Sequence, residues 1–368
     1  MKPISEDWSR LLRVFECDDA TAWNHLLEDN PSASAYLTWE YSQALCQTYH
    51  YRRHHLGYAT NSGHLVGGLP LIHVKSLFFG DRLISLPFCE YGGPLLAHDS
   101  TEEQVLHASE SLLNQAIQLA SQLGVDYVEM RHPSLNESIL LQKGFEKAEH
   151  YVTFHVDLSN GTKQLWNSLD KKTRNAVRKS QKAELQIEDV KGLDQLREYY
   201  TLYLKTQKRL GSPPHCFQLF ENLFSVFCST NKMRMILARH GNMPIAGITV
   251  FLHGNSVFWW NNVSDAMYRK LNPTNLLLWH TMEWAAEKGY RTMSLGRTRK
   301  STTIYDFKKG WGGEEKPLQD FVHFVASKKK NLPDPSQKKY QVLSAIWDLL
   351  PIAVSQRIGP RIIKGIGL

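Results

Sequence analysis

The residues best suited to chemistry lie in GRTRKSTTIYDFKKGWGG, residues 296–313. Arg297, Arg299, Lys300, Lys308 and Lys309 stand here among Tyr305, Phe307 and Trp311, directly after the apolar strand pattern TMSL. Cations at that density suit an anionic ligand, but the glycine spacing is not that of a phosphate-cradling G-x-x-x-x-G-K-[ST] loop. A second basic array is LWNSLDKKTRNAVRKSQKAEL, residues 165–185. Read as one helix at roughly 100° per residue, it sets Lys171, Arg174, Arg178 and Lys182 in one stripe. Leu169, Thr173, Ala176 and Ser180 form the opposite stripe, so an apolar face anchors a cationic one. The stripe is either a phosphate-binding surface or a solvated face. In GSPPH, residues 211–215, two prolines fix a turn after a helix ending at Leu210. His215 is expected to face a cleft, with a plain helix-to-helix connector as the alternative.

Other chemistries are excluded by spacing. His50 and His54 are four apart without the glutamate of H-E-x-x-H, so no metal site is expected. No G-x-S-x-G nucleophile elbow is present. Cys17, Cys46, Cys89, Cys216 and Cys228 form no C-x-x-C pair and read as buried thiols of a reduced, cytoplasmic protein. Cys89, within LPFCEYGGP, reads as a packed thiol. The start MKPISEDWSRLL is not a secretory signal, and no apolar run reaches the ~18 residues of a membrane span. The net formal charge of +7 suits phosphate-bearing partners or an anionic membrane surface without singling out nucleic acid. What is left is binding, or a reaction between two bound substrates.

The elements that position these residues come in two rounds. A chain of 368 residues favours two domains. SGHLVGGLPLIHV in the first half is echoed by HGNMPIAGITVFLHG in the second. LASQLGVDYVEMR (119–131) is echoed by WAAEKGYRTMSLGR (284–297), each a helix ending at a glycine and followed by an alternating strand. Helices are predicted over 102–123 and 274–288, and strands over 233–239, 245–253 and 256–264. The fold class is α+β (mixed α/β), with a central mixed sheet flanked by helices in each half. The predicted domains are 1–155 and 156–327, followed by a basic linker and amphipathic tail over 328–368.

The chain resembles the FemAB family of peptidyltransferases, whose members carry two acetyltransferase-like (GNAT) domains, and is most similar to the branch associated with exosortase and PEP-CTERM exopolysaccharide systems. The resemblance rests on SLPFCEYGGPL (85–95), LDKKTRNAVRKSQKA (169–183), RLGSPPHCFQLF (209–220), PIAGITVF (244–251), LNPTNLLLWHTMEWAAEKGY (271–290) and LGRTRKSTTIYDFKKGWG (295–312). It implies an N-acyltransferase in which an amine attacks an aminoacyl or acyl group carried by aminoacyl-tRNA or acyl-CoA. It implies Lys308, in the family's FK-containing loop, as the catalytic residue. Arg297 supports it and Tyr305 and Trp311 wall the cleft, while Arg174, Arg178, His215, Asn275 and Tyr91 bind substrate. The sequence departs from the family in lacking room for a long helical arm over 195–230, and the R/Q-x-x-G-x-G/A signature for CoA is not evident.

The implied acceptor is an amine of a cell-wall or exopolysaccharide precursor, a phosphate-bearing partner handled in the cytoplasm at the inner face of the membrane. Transfer RNA is an open partner and DNA is not expected. The rival function is a non-catalytic tandem-GNAT module that binds such a precursor. In the tail, Pro351 and Pro360 predict two short helical pieces, with Arg357, Arg361 and Lys364 on one face. That face is directed either to anionic lipid or to packing on the protein.

Overall fold

The computed structural model describes residues 12–28, 30, 33–60, 63–76, 80–98, 100–325 and 347–367. The predicted linker from residue 328 to the start of the tail lies outside them. The chain forms two compact units: residues 1–46, 50–149 and 319–330, and residues 47–49, 150–318 and 331–368.

The first unit contains β1 (Leu12–Glu16), α1 (Ala20–Glu28), α2 (Trp39–Tyr49), β2 (Arg52–Thr60), β3 (Leu65–Ser76), β4 (Gly80–Ile84), β5 (Leu95–Leu96), α3 (Glu102–Leu123), β6 (Tyr127–Met130) and α4 (Glu137–Gln142). β1 to β4 pair antiparallel in sequence order. α3 then crosses over so that β6 lies parallel to β4, with Arg82 opposite Tyr127. A returning strand pairs antiparallel on β6, with Phe321 opposite Met130. α3 starts in a capping box between Thr101 and Gln104 and stops at Gly124, whose φ is 65°. Its inner face, Ala108, Leu112, Leu113, Ala116 and Ala120, is buried on the sheet.

The second unit repeats this order. β7 (Glu146–Asp157) enters it. Then come α5 (Gly161–Ser168), α6 (Lys171–Gln181), β8 (Gln186–Asp189), α7 (Leu193–Arg209), α8 (Phe217–Leu223), β9 (Met233–His240), β10 (Met243–His253), β11 (Ser256–Ser264), α9 (Pro273–Glu287), β12 (Thr292–Ser294), α10 (Thr303–Lys309), β13 (Glu314–Phe324) and α11 (Ile352–Ile366). β8, β9, β10 and β11 are antiparallel neighbours, α9 crosses over, and β12 lies parallel to β11. Residues 155–157 of β7 close the order, antiparallel to β12. The echo read in the sequence is therefore a shared topology, each unit having one helical crossover into one parallel pair.

Alternation along the strands separates two helical layers. Ile248, Val250 and Trp259 face α9, α5 and α6, where Leu277, Met282, Leu165 and Val177 complete the core. Gly247, Thr249 and Phe251 face α7 and α8. A Cβ on Gly247 would come within 2.6 Å of the Tyr199 ring, so this position must be glycine for α7 to lie so close.

Two expectations need correction. The basic array is two helices, because Asp170 leaves helical geometry with ψ 163° and its carboxylate caps the amide of Thr173 at 2.5 Å. The cap satisfies an amide that a continuous helix would have bonded to its own backbone. The tail breaks at Pro351, between helical residues 347–349 and the helix Ile352–Ile366, but not at Pro360, which lies inside that second helix. The carbonyl that Pro360 leaves without its helical donor is that of Gln356, which is exposed and can be solvated, so the helix persists.

Candidate active site

β11 and β12 are in register only over Ser256–Phe258 and Thr292–Ser294. Past that point β11 runs on to Ser264, while the chain after β12 stays with β7: the Leu295 amide donates to the Phe154 carbonyl at 2.9 Å, and Thr298 bridges Val152. The two parallel strands thus part at their carboxyl ends and leave a wedge. Ligands of open α/β sheets bind at such ends, where backbone and loops diverge. The crossover topology puts the start of α9, with Asn275 in its first turn, at this same end.

Lys308 projects into the wedge. Its residue is 6% exposed, and Nζ donates to the carbonyls of Gly296 at 2.9 Å and Arg297 at 3.1 Å. The ammonium also stands 5.3 Å from the ring centre of Trp259, on the part of β11 that has left β12. The predicted loop over 296–313 therefore contains a short helix, α10, capped by the Thr302 hydroxyl, which accepts from the Tyr305 amide at 3.2 Å. Its end is held against α6: the Asp170 amide donates to the Gly310 carbonyl at 3.0 Å, and a Cβ on Gly310 would meet Thr173 Oγ1 at 2.6 Å. The glycine after the lysine pair is what lets the two helices close and fixes Lys308.

The other predicted residues divide. Arg297 lends its carbonyl to Lys308, while its guanidinium lies 4.0 Å over the Tyr151 ring. The Tyr305 hydroxyl donates to Glu315 at 2.5 Å, and Lys300 reaches the same carboxylate at 2.8 Å. The hydrogen bond to Glu315 raises the tyrosine pKa, and that from Lys300 lowers the glutamate's. Tyr305 thus joins α10 to β13, with its ring tilted on Phe154. Trp311 is fully buried and Phe307 packs against the same core. Asn275 spends its backbone amide on the Asn272 carbonyl at 3.1 Å.

Arg174 and Arg178 do not form the expected pair. Arg174 is half-buried and donates to the carbonyls of Asn167 at 3.1 Å and Leu169 at 2.6 Å, closing the end of α5. Arg178 rests 5.3 Å from the Trp166 ring. The exposed cations here are Lys171, Lys172, Arg178, Lys179 and Lys182.

His215 is not in the wedge. It packs in the layer of α7 and α8, on the sheet face opposite Trp259: its ring lies on Tyr203, which packs on Phe220, itself in contact with Trp260. Nδ1 and the Tyr49 hydroxyl share a hydrogen bond at 2.6 Å, and the Tyr200 hydroxyl donates to the His215 carbonyl. Burial pushes the imidazole pKa down to about 3. GSPPH is the connector, because a rigid turn between two aromatic helices buries its histidine among them. Tyr91 belongs to the first unit, where its ring stands edge-on to His132.

Sequence reasoning missed Trp259, Gly310 and Asp170. Two signals were present: alternation in SVFWWNNVS sends the adjacent tryptophans to opposite faces, and Asp170 precedes Thr173 at capping distance.

Residues 167–309 match the family model described as an acetyltransferase (GNAT) domain. The chain carries a GNAT acyltransferase domain. That domain spans the wedge, α9 and Lys308. The structure is similar to that of FemX, with a TM-score of 0.66 at 14% identity, covering 85% of this chain and 97% of that one. It is also similar to the C-terminal domain of a putative lysylphosphatidylglycerol synthetase from Agrobacterium fabrum, with a TM-score of 0.58 at 13% identity over 82% and 91% of the two chains. A tandem GNAT protein from the clavulanic acid biosynthesis pathway gives 0.54 at 11% identity over 86% and 100%. The fold is that of tandem GNAT proteins, and the GNAT domain supports an acyltransferase. Comparison with curated proteins gives no match. No helix among the described residues is long and apolar enough to cross a membrane.

Proposed function

We infer that the GNAT domain transfers an acyl or aminoacyl group to an amine of a phosphate-bearing cell-envelope precursor, from acyl-CoA or aminoacyl-tRNA. The observation that carries this is the buried Lys308 ammonium in the wedge between β11 and β12. A neutral amine attacks the carbonyl carbon of the donor. The C–N bond forms as the C=O electrons move to oxygen, and collapse of the oxyanion expels the thiolate or ribose oxygen. The amine's proton leaves to solvent or to the leaving group. A fixed positive charge in a water-poor wedge stabilises the oxyanion, and no Ser–His pair is required. Exposed lysines on α6 supply attraction for a phosphorylated donor. An enzyme named for making lysylphosphatidylglycerol has this fold, which agrees with aminoacyl transfer to a phosphate-bearing acceptor.

One observation favours the rival reading, a non-catalytic binding module. Lys308 is already bonded to two backbone carbonyls, as a purely structural lysine would be. Purified protein incubated with acetyl-CoA or with charged tRNA, and with an amino-sugar nucleotide or a lipid-linked aminoacyl acceptor, separates the two. A mass increase of the acceptor equal to the transferred group supports the enzyme. Binding of donor and acceptor without any such product supports the module.

A further inference from the structure

The end of the second unit's sheet away from Lys308 holds a cavity of about 670 Å³. β11 and β12 begin there and α9 ends there, so it is separated from the wedge by the length of the parallel pair. Arg234 lines it. Nε and Nη2 of this guanidinium donate to the two carboxylate oxygens of Asp189 at 2.6 and 3.2 Å, and its Cζ lies 4.4 Å from the centre of the Trp284 ring. The remaining nitrogen, Nη1, is buried and makes no hydrogen bond among the described residues. An arginine held on one edge by a carboxylate and against an indole has little freedom left to lose, and its guanidinium is a fixed charge in the cavity wall.

The rest of the cavity agrees with that use. Lys288, one helical turn after Trp284 and exposed, adds a second cation. Two cations against the Asp189 carboxylate leave one net positive charge. Asn231 and Asn255 offer amide donors at the rim, while Trp284 and Tyr290, with ring centres 5.7 Å apart, form an apolar wall. Burial pushes the Cys228 thiol up to about 12, so the cavity's one thiol stays protonated and takes no covalent part.

We propose that this cavity binds a small organic oxyanion, a carboxylate or phosphate monoester on a flat apolar body. The oxyanion pairs with the exposed Lys288 ammonium beside the Arg234 guanidinium, and the body lies against Trp284 and Tyr290. The volume is in the range of small-molecule sites. The site is separate from the acyl-transfer wedge, and the proposal stands whether or not Lys308 is catalytic.

The test uses the full chain labelled with 5-fluorotryptophan, with the Trp284 fluorine signal assigned from Trp284→Phe. Benzoate, phenyl phosphate and benzyl alcohol are titrated into the millimolar range. The expected result is a saturable shift of the Trp284 signal by benzoate or phenyl phosphate and none by benzyl alcohol. The stronger of the two anions identifies the headgroup. Arg234→Gln should abolish the shift. Because that change also strips Asp189 of its partner, Lys288→Glu is the deciding variant: it is exposed, folds, and should weaken binding about tenfold. No saturable shift with either anion, an equal shift with benzyl alcohol, or unchanged affinity in Lys288→Glu overturns the proposal.

Discussion

The ammonium of Lys308 lies 5.3 Å from the ring centre of Trp259, on a strand that has just parted from its parallel neighbour. One residue is in the last turn of a seven-residue helix and the other in the middle of the sheet, and their meeting defines the wedge. Removing the charge should act twice. Lys308→Met leaves the carbonyls of Gly296 and Arg297 without this donor and is expected to lower stability by about 2–3 kcal/mol. Loss of oxyanion stabilisation should lower turnover about a hundredfold in the fraction that remains folded. Circular dichroism gives that fraction and acceptor acylation gives the rate. Wild-type turnover per folded molecule would leave Lys308 a structural lysine.

The two arginines of the basic array should separate by assay. Arg174→Gln opens the end of α5 and is expected to cost about 1–2 kcal/mol in urea unfolding, with little change in donor affinity. Arg178→Gln removes an exposed cation–π contact and should cost less than about 1 kcal/mol. Replacing Lys171, Lys179 and Lys182 together with glutamine should flatten the salt dependence of CoA or tRNA binding, since each cation that contacts phosphate adds to that slope. An unchanged slope would make α6 a solvated surface.

The order of elements was legible because it is written in local chemistry. Gly124 and Gly289 end helices, alternation marks β9 to β11, and Asn272-Pro273 opens α9. The wedge was not legible: pairing between β11 and β12 stops after Phe258 through the path of the chain beyond Leu295, a long-range property. The cationic stripe was correct as geometry and misleading as chemistry. Projection on a helical wheel cannot tell that Arg174 turns back to the carbonyls of Asn167 and Leu169. His215 failed for a similar reason. Two prolines fix a turn equally well at a cleft or in a core, and the aromatic side chains Tyr199, Tyr200 and Tyr203 that decide the matter sit one helix earlier.

His215 should make stability depend on pH. Burial holds its folded pKa down at about 3, against ~6.5 when unfolded, so between these values the unfolded chain binds a proton that the folded chain refuses. Its contribution is complete above pH ~6.5 and is lost progressively as pH falls toward 3, with a slope approaching about 1.4 kcal/mol per pH unit. His215→Gln should remove one proton from the slope between pH 6.5 and 4.5 in urea unfolding. An identical slope in the variant would mean that the imidazole is protonated in the fold.

The tail should meet an anionic membrane through charge. Ser355, Gly359 and Gly365 are buried, and a Cβ on Gly359 would come within 2.4 Å of Pro214, so small residues seat α11 on the protein. Ile352, Ile358, Ile363 and Ile366 are half-buried beside them, which removes most of the apolar area that insertion into lipid would need. The outer face keeps Arg357, Arg361 and Lys364, with Val354 and Ile362 exposed among them. At about 1 kcal/mol per cation near an anionic surface, three cations give roughly hundredfold enrichment, and salt screens it. The expected result is flotation with phosphatidylserine vesicles at low salt, none with phosphatidylcholine, and loss of flotation when Arg357, Arg361 and Lys364 are replaced by serine. Flotation that survives high salt would point to insertion of Val354 and Ile362. Absence of flotation under all conditions would leave α11 as a packing helix on α7.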